Sequence, residues 1–256
     1  MLLLRSLILT LFMSLSAHAA GSVTEQSVFE LSVDVKTLLL KYYHVQADEG
    51  NPQLIEELLR HRDLVASEHT SLVAQLDEKY AVAGSNIQTH WTEFNRLLDQ
   101  NVHEIREANY PELQVVTLMR QAQRSLLGEL ELLAENLLMN NEVALPELVI
   151  WQREQKNLLL NVVERYIERA ASSMGAPLTV DSVDISSLCR RFDLGIADLR
   201  SRVTSTDAQR QLDKIRSQWL FIETAATDAE ARLVPFLVMR YTDRILSRLD
   251  GIALHI

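Results

Sequence analysis

The residues of this chain that are best suited to metal chemistry are three side chains between positions 57 and 69. Glu57 and His61 are four residues apart and His69 follows eight residues later, so all three could share one face of a helix. Helical bundles that bind two iron ions use Glu-x-x-His pairs on facing helices, and this spacing does not occur in the sequence. Charged residues flank both histidines, so we expect exposed helix residues and no metal site.

Other catalytic motifs are also absent from the sequence. It has no Gly-x-Ser-x-Gly, no phosphate-binding glycine loop, no dinucleotide fingerprint and no Cys-x-x-Cys. Its acidic residues are spread too evenly to nominate a catalytic pair. The single cysteine, Cys189, precedes two arginines that could lower the pKa of its thiol, but its position on an amphipathic helix favours a small buried residue. We therefore expect neither an enzyme nor a cofactor.

Arg190 and Arg191, together with Arg200 and Arg202, form a local basic cluster in an acidic protein. The net charge of the chain is −10 at pH 7, which disfavours nucleic acid and anionic lipid as partners. The simplest interpretation of the cluster is a solvated helix face. The alternative is a docking site for an acidic partner at Arg190 and Arg191.

The elements that position these residues are predicted to be helices. Only seven glycines and five prolines occur in 256 residues, and strand-like alternation is nearly absent. The predicted breaks are Gly50-Asn51-Pro52, Ala83-Gly84-Ser85-Asn86, Asn109-Tyr110-Pro111, Ala144-Leu145-Pro146, Gly175-Ala176-Pro177 and Ser205-Thr206-Asp207. The predicted helices are 23–48, 53–80, 86–107, 112–141 and 147–173, a sixth and a seventh on either side of 205–207, and a last one at 229–249.

Two parts of the chain repeat each other. The recurring stretches are Lys36-Thr-Leu-Leu-Leu with Lys156-Asn-Leu-Leu-Leu, and Ile87-x-x-x-Trp91 with Ile215-x-x-x-Trp219. Such a repeat predicts two similar units, and amphipathic helices joined by short loops predict up-and-down four-helix bundles at 20–142 and 143–256. We interpret the matching Trp91 and Trp219 as core anchors, and ligand-facing rings are the alternative.

Residues 1–19 have the pattern of a secretory signal peptide. Arg5 precedes an apolar run from Leu7 to Leu15, and Ala17-His18-Ala19 fits the small-x-small cleavage pattern. The run is shorter than the roughly 20 residues that span a bilayer. An uncleaved N-terminal anchor is the rival interpretation. We expect a periplasmic protein without stable membrane insertion after cleavage.

These features resemble a known family of exported helical proteins. The residues that carry the resemblance are Lys36, Leu72, Leu76, Ile87 and Trp91 in the first unit, and Lys156, Phe192, Leu199, Leu212 to Trp219, Arg232 to Pro235 and Arg240 to Leu246 in the second. The chain after the signal peptide resembles stand-alone proteins with tandem PilJ-like domains, which are related to the N-terminal sensory domain of type IV pilus methyl-accepting chemotaxis transducers. It also shares a helical design with the sensor domains of nitrate/nitrite histidine kinases.

The resemblance implies a position for a ligand site. Family members begin each unit with an Arg/Gln-rich segment near that site. The first unit, from Phe29 to Lys36, has lost the arginines, whereas residues 151–156 keep a glutamine and an arginine. Because guanidinium forks recognise planar oxyanions, this loss argues against inherited nitrate binding. A surviving site would consist of Trp151, Gln152, Arg153 and Lys156.

We expect a non-enzymatic sensory or accessory binding protein. It would recognise a small ligand or the periplasmic domain of a membrane-bound receptor. The alternative is a structural or assembly factor for an envelope machine such as a pilus or a secretion system. A polar-lined cavity between helices would favour ligand binding, and an exposed apolar patch of roughly several hundred Å² would favour docking to such a machine.

Overall fold

The protein is all-α, as the sequence predicts. The computed structural model describes residues 23–141, 144–172, 184–228 and 232–252. Its helices are α1 (Glu25–Ala47), α2 (Pro52–Ala74), α3 (Ala81–Ala108), α4 (Leu113–Asn141), α5 (Glu147–Ala171), α6 (Ile185–Arg202), α7 (Thr206–Thr227) and α8 (Pro235–Ile252). A single 3₁₀ turn, Glu78–Tyr80, precedes α3, and none of the described residues forms a β-strand. The predicted signal peptide, the unit junction at 142–143 and the break at 175–177 lie outside the described residues.

Some predicted helix ends are wrong. The second helix ends at Ala74 instead of residue 80, and the third begins at Ala81 instead of residue 86. The reason is that Gly84 lies inside α3. A Cβ atom at Gly84 would lie 3.0 Å from Cδ1 of Leu76, so this glycine lets α3 approach the preceding connection closely instead of ending a helix. The last helix begins at Pro235 instead of residue 229, with proline in its first turn.

Helices α1 and α5 lie at the centre of the molecule and pack against each other. They run parallel: an ion pair joins Glu25 in the first turn of α1 to Arg153 in the second turn of α5, and the Gln46 side chain near the end of α1 donates to the carbonyl oxygen of Ala171 at the end of α5 (3.1 Å). Each also contacts helices of its own half of the chain, so it is covered on nearly all sides. For this reason all three consecutive leucines of each repeat, Leu38–Leu40 and Leu158–Leu160, are buried.

The other helices pack around this pair in the same order in both halves of the chain. In the first group, α1 to α4, α1 packs against α2 and α4, and α4 packs against α3. In the second group, α5 to α8, α5 packs against α6 and α8, and α8 packs against α7. One continuous hydrophobic core joins the two groups. Each group therefore has the packing order of an up-and-down four-helix bundle.

The two repeated tryptophans are core anchors, as predicted. Trp91 stacks on His69 with ring centroids 5.2 Å apart, and Trp219 packs on Phe192 with centroids 4.1 Å apart. The prediction that His69 is exposed is wrong: it is 1% exposed. Its imidazole occupies the place in the first group that the Phe192 ring occupies in the second. His61 is half-buried.

Replacing His69 with phenylalanine should stabilise the protein. The Nε2 atom of His69 is buried and has no hydrogen-bond partner among the described residues. A His69→Phe substitution keeps a ring beside Trp91 and removes this polar atom. We expect the free energy of unfolding at pH 7 to rise by about 1 kcal/mol. Urea denaturation of the two proteins measures the difference.

The same substitution should reduce the loss of stability in acid. Burial lowers the pKa of His69 from its ordinary value of 6.5 to about 4. The unfolded chain therefore binds a proton at higher pH than the folded protein, so stability falls as pH drops from about 6.5 to about 4. This contribution is at most about 3 kcal/mol. Equal losses in the wild type and in His69→Phe between these pH values would contradict a buried neutral histidine.

Candidate functional site

The four residues that the resemblance marks as a ligand site lie in the first three turns of α5. Nε1 of the buried Trp151 donates to the carbonyl oxygen of Gly195 in α6 (2.8 Å). Nε2 of Gln152 donates to the carbonyl oxygen of Leu249 in α8 (2.6 Å). These two side chains thus join α5 to its neighbours α6 and α8.

Arg153 is bound by a carboxylate of the chain itself. Its guanidinium forms a bidentate ion pair with Glu25 in the first turn of α1, and Nη2 also donates to Oε1 of Gln26 (2.6 Å). The guanidinium carbon lies 4.7 Å from the centroid of the Phe29 ring. The guanidinium N–H groups that could bind a planar oxyanion are therefore already paired with the carboxylate of Glu25.

Lys156 is a buried ammonium group between three helices. It is 1% exposed, and its Nζ lies 3.0 Å from Oε2 of Glu30 in α1 and 2.6 Å from Oδ1 of Asp250 in α8. A charge with so little access to water is tolerated because carboxylates compensate it. Each of the four candidate residues is thus engaged in contacts within the chain, and their side chains are directed at three different neighbouring helices.

Removing Arg153 should therefore affect stability. Arg153→Ala leaves the largely buried carboxylate of Glu25 without its guanidinium, and we expect the free energy of unfolding to fall by about 1–3 kcal/mol. Arg191→Ala is a matched control, because Arg191 forms an exposed ion pair with Glu154 (2.9 Å) and should change stability by less than about 1 kcal/mol. Urea denaturation measures both effects. Nitrate binding that is detected by calorimetry and lost in Arg153→Ala would show instead that the fork accepts an external anion.

A second set of buried charges lies where α4 faces α5. Nη1 of Arg120 is 2.7 Å from Oε1 of Glu168, and Nη2 is 3.8 Å from Oε1 of Glu164. Burial raises the pKa of Glu164. Nearby, Nζ of Lys36 donates to Oδ1 of Asn157 (2.7 Å), and burial lowers the pKa of Lys36. These contacts close one side of the boundary between the two groups.

The Arg120–Glu168 pair should behave as a unit. Arg120→Met leaves a buried carboxylate without this guanidinium, so we expect the free energy of unfolding to fall by about 3–5 kcal/mol. Adding Glu168→Leu removes the buried charge and should recover most of the loss. Urea denaturation of the wild type, both single variants and the double variant completes the cycle. A double variant as unstable as Arg120→Met would contradict this account.

The predicted docking residues lie on α6 and do not form one positive patch. Arg191 is paired with Glu154 of α5, and Arg190 lines a groove between α6 and α7. Arg200 and Arg202 are also paired with nearby carboxylates. Most of the cluster in the sequence is therefore divided among several ion pairs, and Arg190 faces the groove between α6 and α7.

A separate groove lies between the α1–α2 turn and the start of α8, at the end of the molecule away from Arg153. We call it the end groove. Its volume is about 660 Å³, within the range of roughly 300–1,000 Å³ that is usual for small-molecule sites. Its lining is formed by Lys41, His44, Ala47, Asp48, Asn51, Gln53, Leu54, Glu57, residues 233–237, Met239, Arg240 and Asp243.

Local backbone geometry positions the walls of the end groove. Gly50 has a φ of +78°, and the backbone there lies too close to α3 for a side chain, so glycine is required. Asn51 caps α2 with its side-chain oxygen and donates to the carboxylate of Asp48 (2.8 Å). The backbone N–H of Val234 donates to the hydroxyl oxygen of Tyr166 (2.6 Å). These contacts hold the start of α2 and the start of α8 beside the end of α1.

Charged side chains of both signs line the end groove. Lys41 and Arg240 are positive, whereas Asp48, Glu57 and Asp243 are negative. Within the described part of the chain, none of the five takes part in an ion pair. The surrounding helices remove part of the hydration of Asp243 and raise its pKa; Lys41 lowers this pKa and Glu57 raises it. The groove therefore presents charged groups that have no direct partner of opposite sign.

Apolar surface accompanies these charges. The Phe236 side chain at the start of α8 is 59% exposed, and its ring centroid lies 6.5 Å from that of His44. Burial lowers the pKa of His44 below its ordinary value of 6.5, which favours the neutral imidazole. Leu54 and Leu233 extend the apolar part of the wall. An amphipathic molecule could bury its apolar part here while its charged groups meet those of the groove.

The sequence contained one local signal for this groove. The Gly50-Asn51-Pro52 break marks the turn that forms one wall. The rest of the lining comes from α1 and α8, which are far apart in the sequence, and no motif connects them. Sequence reasoning therefore missed the groove.

The described residues contain no group of three or more His, Cys, Asp or Glu side chains that could hold a metal ion. Cys189 is buried, as expected, and burial raises the pKa of its thiol to about 12. None of the described helices is long and apolar enough to cross a membrane.

Comparisons with protein-family models, with curated proteins and with solved structures find no match for this chain. Its fold and grooves define it as an all-α protein whose two groups of four helices share one core. Because such folds serve many functions, the function has to be inferred from the residues of the site.

Proposed function

We propose that this protein is a non-enzymatic binding protein that recognises a small ligand in the end groove. The observation that carries the proposal is the lining of that groove, where five charged side chains without ion-pair partners stand beside exposed apolar surface. Most of the arginines near the earlier candidate sites are paired with carboxylates. The end groove is thus a concave surface whose polar groups remain available.

The lining favours a small amphipathic ligand with charges of both signs, such as an amino acid or a short peptide. Lys41 and Arg240 can meet a carboxylate, and Asp48 or Glu57 can meet an ammonium group. Phe236 offers a ring face to an apolar side chain or to a cation. Lys41 and Asp48, just past the end of α1, are seven residues apart, which separates them by roughly 10 Å. This spacing suits the two opposite charges of a ligand of this size.

The resemblance to PilJ-like exported proteins supports a sensory or accessory role for this binding. In that role the protein is exported to the periplasm through its signal peptide. It binds its ligand there and interacts with the periplasmic domain of a membrane-bound receptor, which transmits the signal. The changed Arg/Gln segment agrees with a site that has moved away from Arg153.

A thermal-shift screen tests the proposal. The purified protein is heated with nitrate, acetate, glutamate, lysine, a tripeptide or spermidine. A ligand at about one hundred times its Kd stabilises the folded state by about 2.7 kcal/mol, which raises Tm by roughly 5–10 °C for a chain of this length. We expect a saturable shift with at least one amino acid or peptide.

Two double variants locate the binding. Phe236→Ala with Arg240→Gln should remove the shift, because both side chains line the end groove. Tyr110→Ala with Arg106→Gln is the matched control, since both residues are exposed at the end of α3 and the loop that follows, outside the groove. The absence of a shift with every compound, or a shift that survives in the first variant, would refute the end groove as the site.

The alternative, an assembly factor of an envelope machine, requires an exposed docking face. One observation favours such a face: α6 and α7 expose Leu194 and Leu220 beside Arg190. Crosslinking of the protein within the periplasm distinguishes this role. Envelope-machine subunits recovered through a photocrosslinking residue at position 194 would favour the assembly role over ligand sensing.

A further inference from the structure

The outward surface of α6 and α7 exposes one leucine on each helix beside a groove. We call it the outer face and define it by Arg190, Asp193 and Leu194 of α6 and Arg216, Leu220 and Glu223 of α7. Leu194 and Leu220 are 63% and 62% exposed. Between the helices lies a groove of about 710 Å³.

The first group provides an internal reference for α6. Phe192 and His69 occupy equivalent places, because each packs against the repeated tryptophan of its own group. Leu194 lies two residues after Phe192, and Ser71 lies two residues after His69. The equivalent of the exposed leucine is therefore an exposed serine, whose hydroxyl oxygen accepts a hydrogen bond from a glutamine on the same helix.

Helix α7 differs from α3 in the same way. Leu220 directly follows Trp219, and Thr92 directly follows Trp91. Thr92 is exposed and its hydroxyl donates to a backbone carbonyl of its own helix (2.8 Å). At these two positions beside the aromatic pair the first group has an exposed serine and an exposed threonine, whereas the second group exposes a leucine on each helix. This difference indicates that the outer face is covered by a partner.

The charges of the outer face identify the chemistry of that partner. Arg190 and Arg216 form no ion pair with any described residue. The carboxyl groups of Asp193 and Glu223 lie within hydrogen-bonding distance of each other, and the pKa of Glu223 is raised by burial and by Asp193. The outer face therefore carries two guanidinium groups without ion-pair partners and, close by, two carboxyl groups that lie next to each other. A surface of this kind is complementary to a second copy of itself, whereas a partner of a single charge sign would be repelled by one of the two sets.

We propose that the outer face is a contact surface between two copies of this chain related by a two-fold axis. In such an isologous contact both copies contribute the same surface. The leucines of the two copies pack together, and the arginines of one copy approach the carboxylates of the other. Four helices, two from each copy, then form an intermolecular bundle.

The size of the outer face is adequate for such a contact. Helix α6 has 18 residues, and at about 1.5 Å per residue it is roughly 27 Å long. Two neighbouring helices present a surface roughly 20 Å wide. The contact then buries roughly 500 Å² on each copy, close to the total of about 1,000 Å² that is the lower limit for a specific interface. A reversible dimer of micromolar affinity is expected.

Sedimentation velocity at protein concentrations from about 1 to 100 μM tests the proposal, because this range brackets a micromolar Kd. We expect the wild type to change from monomer to dimer across the range. The double variant Leu194→Glu with Leu220→Glu should weaken the dimer by at least about 100-fold. Both leucines are exposed, so thermal unfolding of this variant should match that of the wild type at concentrations well below Kd, where both proteins are monomeric.

The matched control introduces two glutamates at the equivalent exposed positions of α2 and α3. Ser71→Glu with Thr92→Glu adds the same charge at the equivalent exposed positions and should leave the dimer unchanged. A wild type that stays monomeric at every concentration would overturn the proposal, even if another protein were found on the outer face. A dimer that is weakened equally by both double variants, or by neither, would overturn it as well.

Mixing distinguishes an isologous contact from a head-to-tail one. Fluorescently labelled wild type is titrated with the Leu194→Glu, Leu220→Glu variant. In a contact where both copies use the outer face, the variant should not bind the wild type. Binding at wild-type affinity would mean that the second copy uses a different surface, and the two-fold contact would be rejected.

Discussion

The packing of α1 against α5 is the constraint on which the rest of the structure depends. Both helices carry three consecutive buried leucines, and a helix buried on nearly all sides needs neighbours on every face. Neither group of four helices alone could cover its central helix, since the remaining face is buried only by the other group. The repeated Lys-x-Leu-Leu-Leu stretch is therefore the sequence of an interface between two similar bundles, and one continuous core is its consequence.

Charged residues surround the apolar contact between α1 and α5. At one end, Arg153 and Lys156 of α5 are compensated by carboxylates of α1 and α8. On the α4 side, Arg120 is compensated by Glu168. At the other end, between α1 and α8, the charged side chains line the end groove without ion-pair partners among the described residues. The candidate site thus lies where the boundary between the groups is left open.

The two groups share an aromatic core contact and differ in the surface beside it. His69 with Trp91 and Phe192 with Trp219 are versions of the same aromatic contact. The surfaces next to these pairs differ, since the first group has serine and threonine where the second has leucines. Duplication of a stable helical unit supplies a core twice, and each copy of its surface can then acquire a separate function. The outer face is a place where this protein shows such a difference.

By itself the sequence determined the class of the fold, the number of helices and most of their bounds, because glycine, proline and helical periodicity act locally. It also indicated that Trp91 and Trp219 are equivalent anchors. Tertiary structure decided that Gly84 lies within a helix and that His69 is buried, because packing against neighbouring helices overrides local preference. It also decided the state of Arg153, whose partner Glu25 lies 128 residues earlier in the chain. The end groove could not be predicted either, since its walls come from helices that meet only after the two groups have packed together.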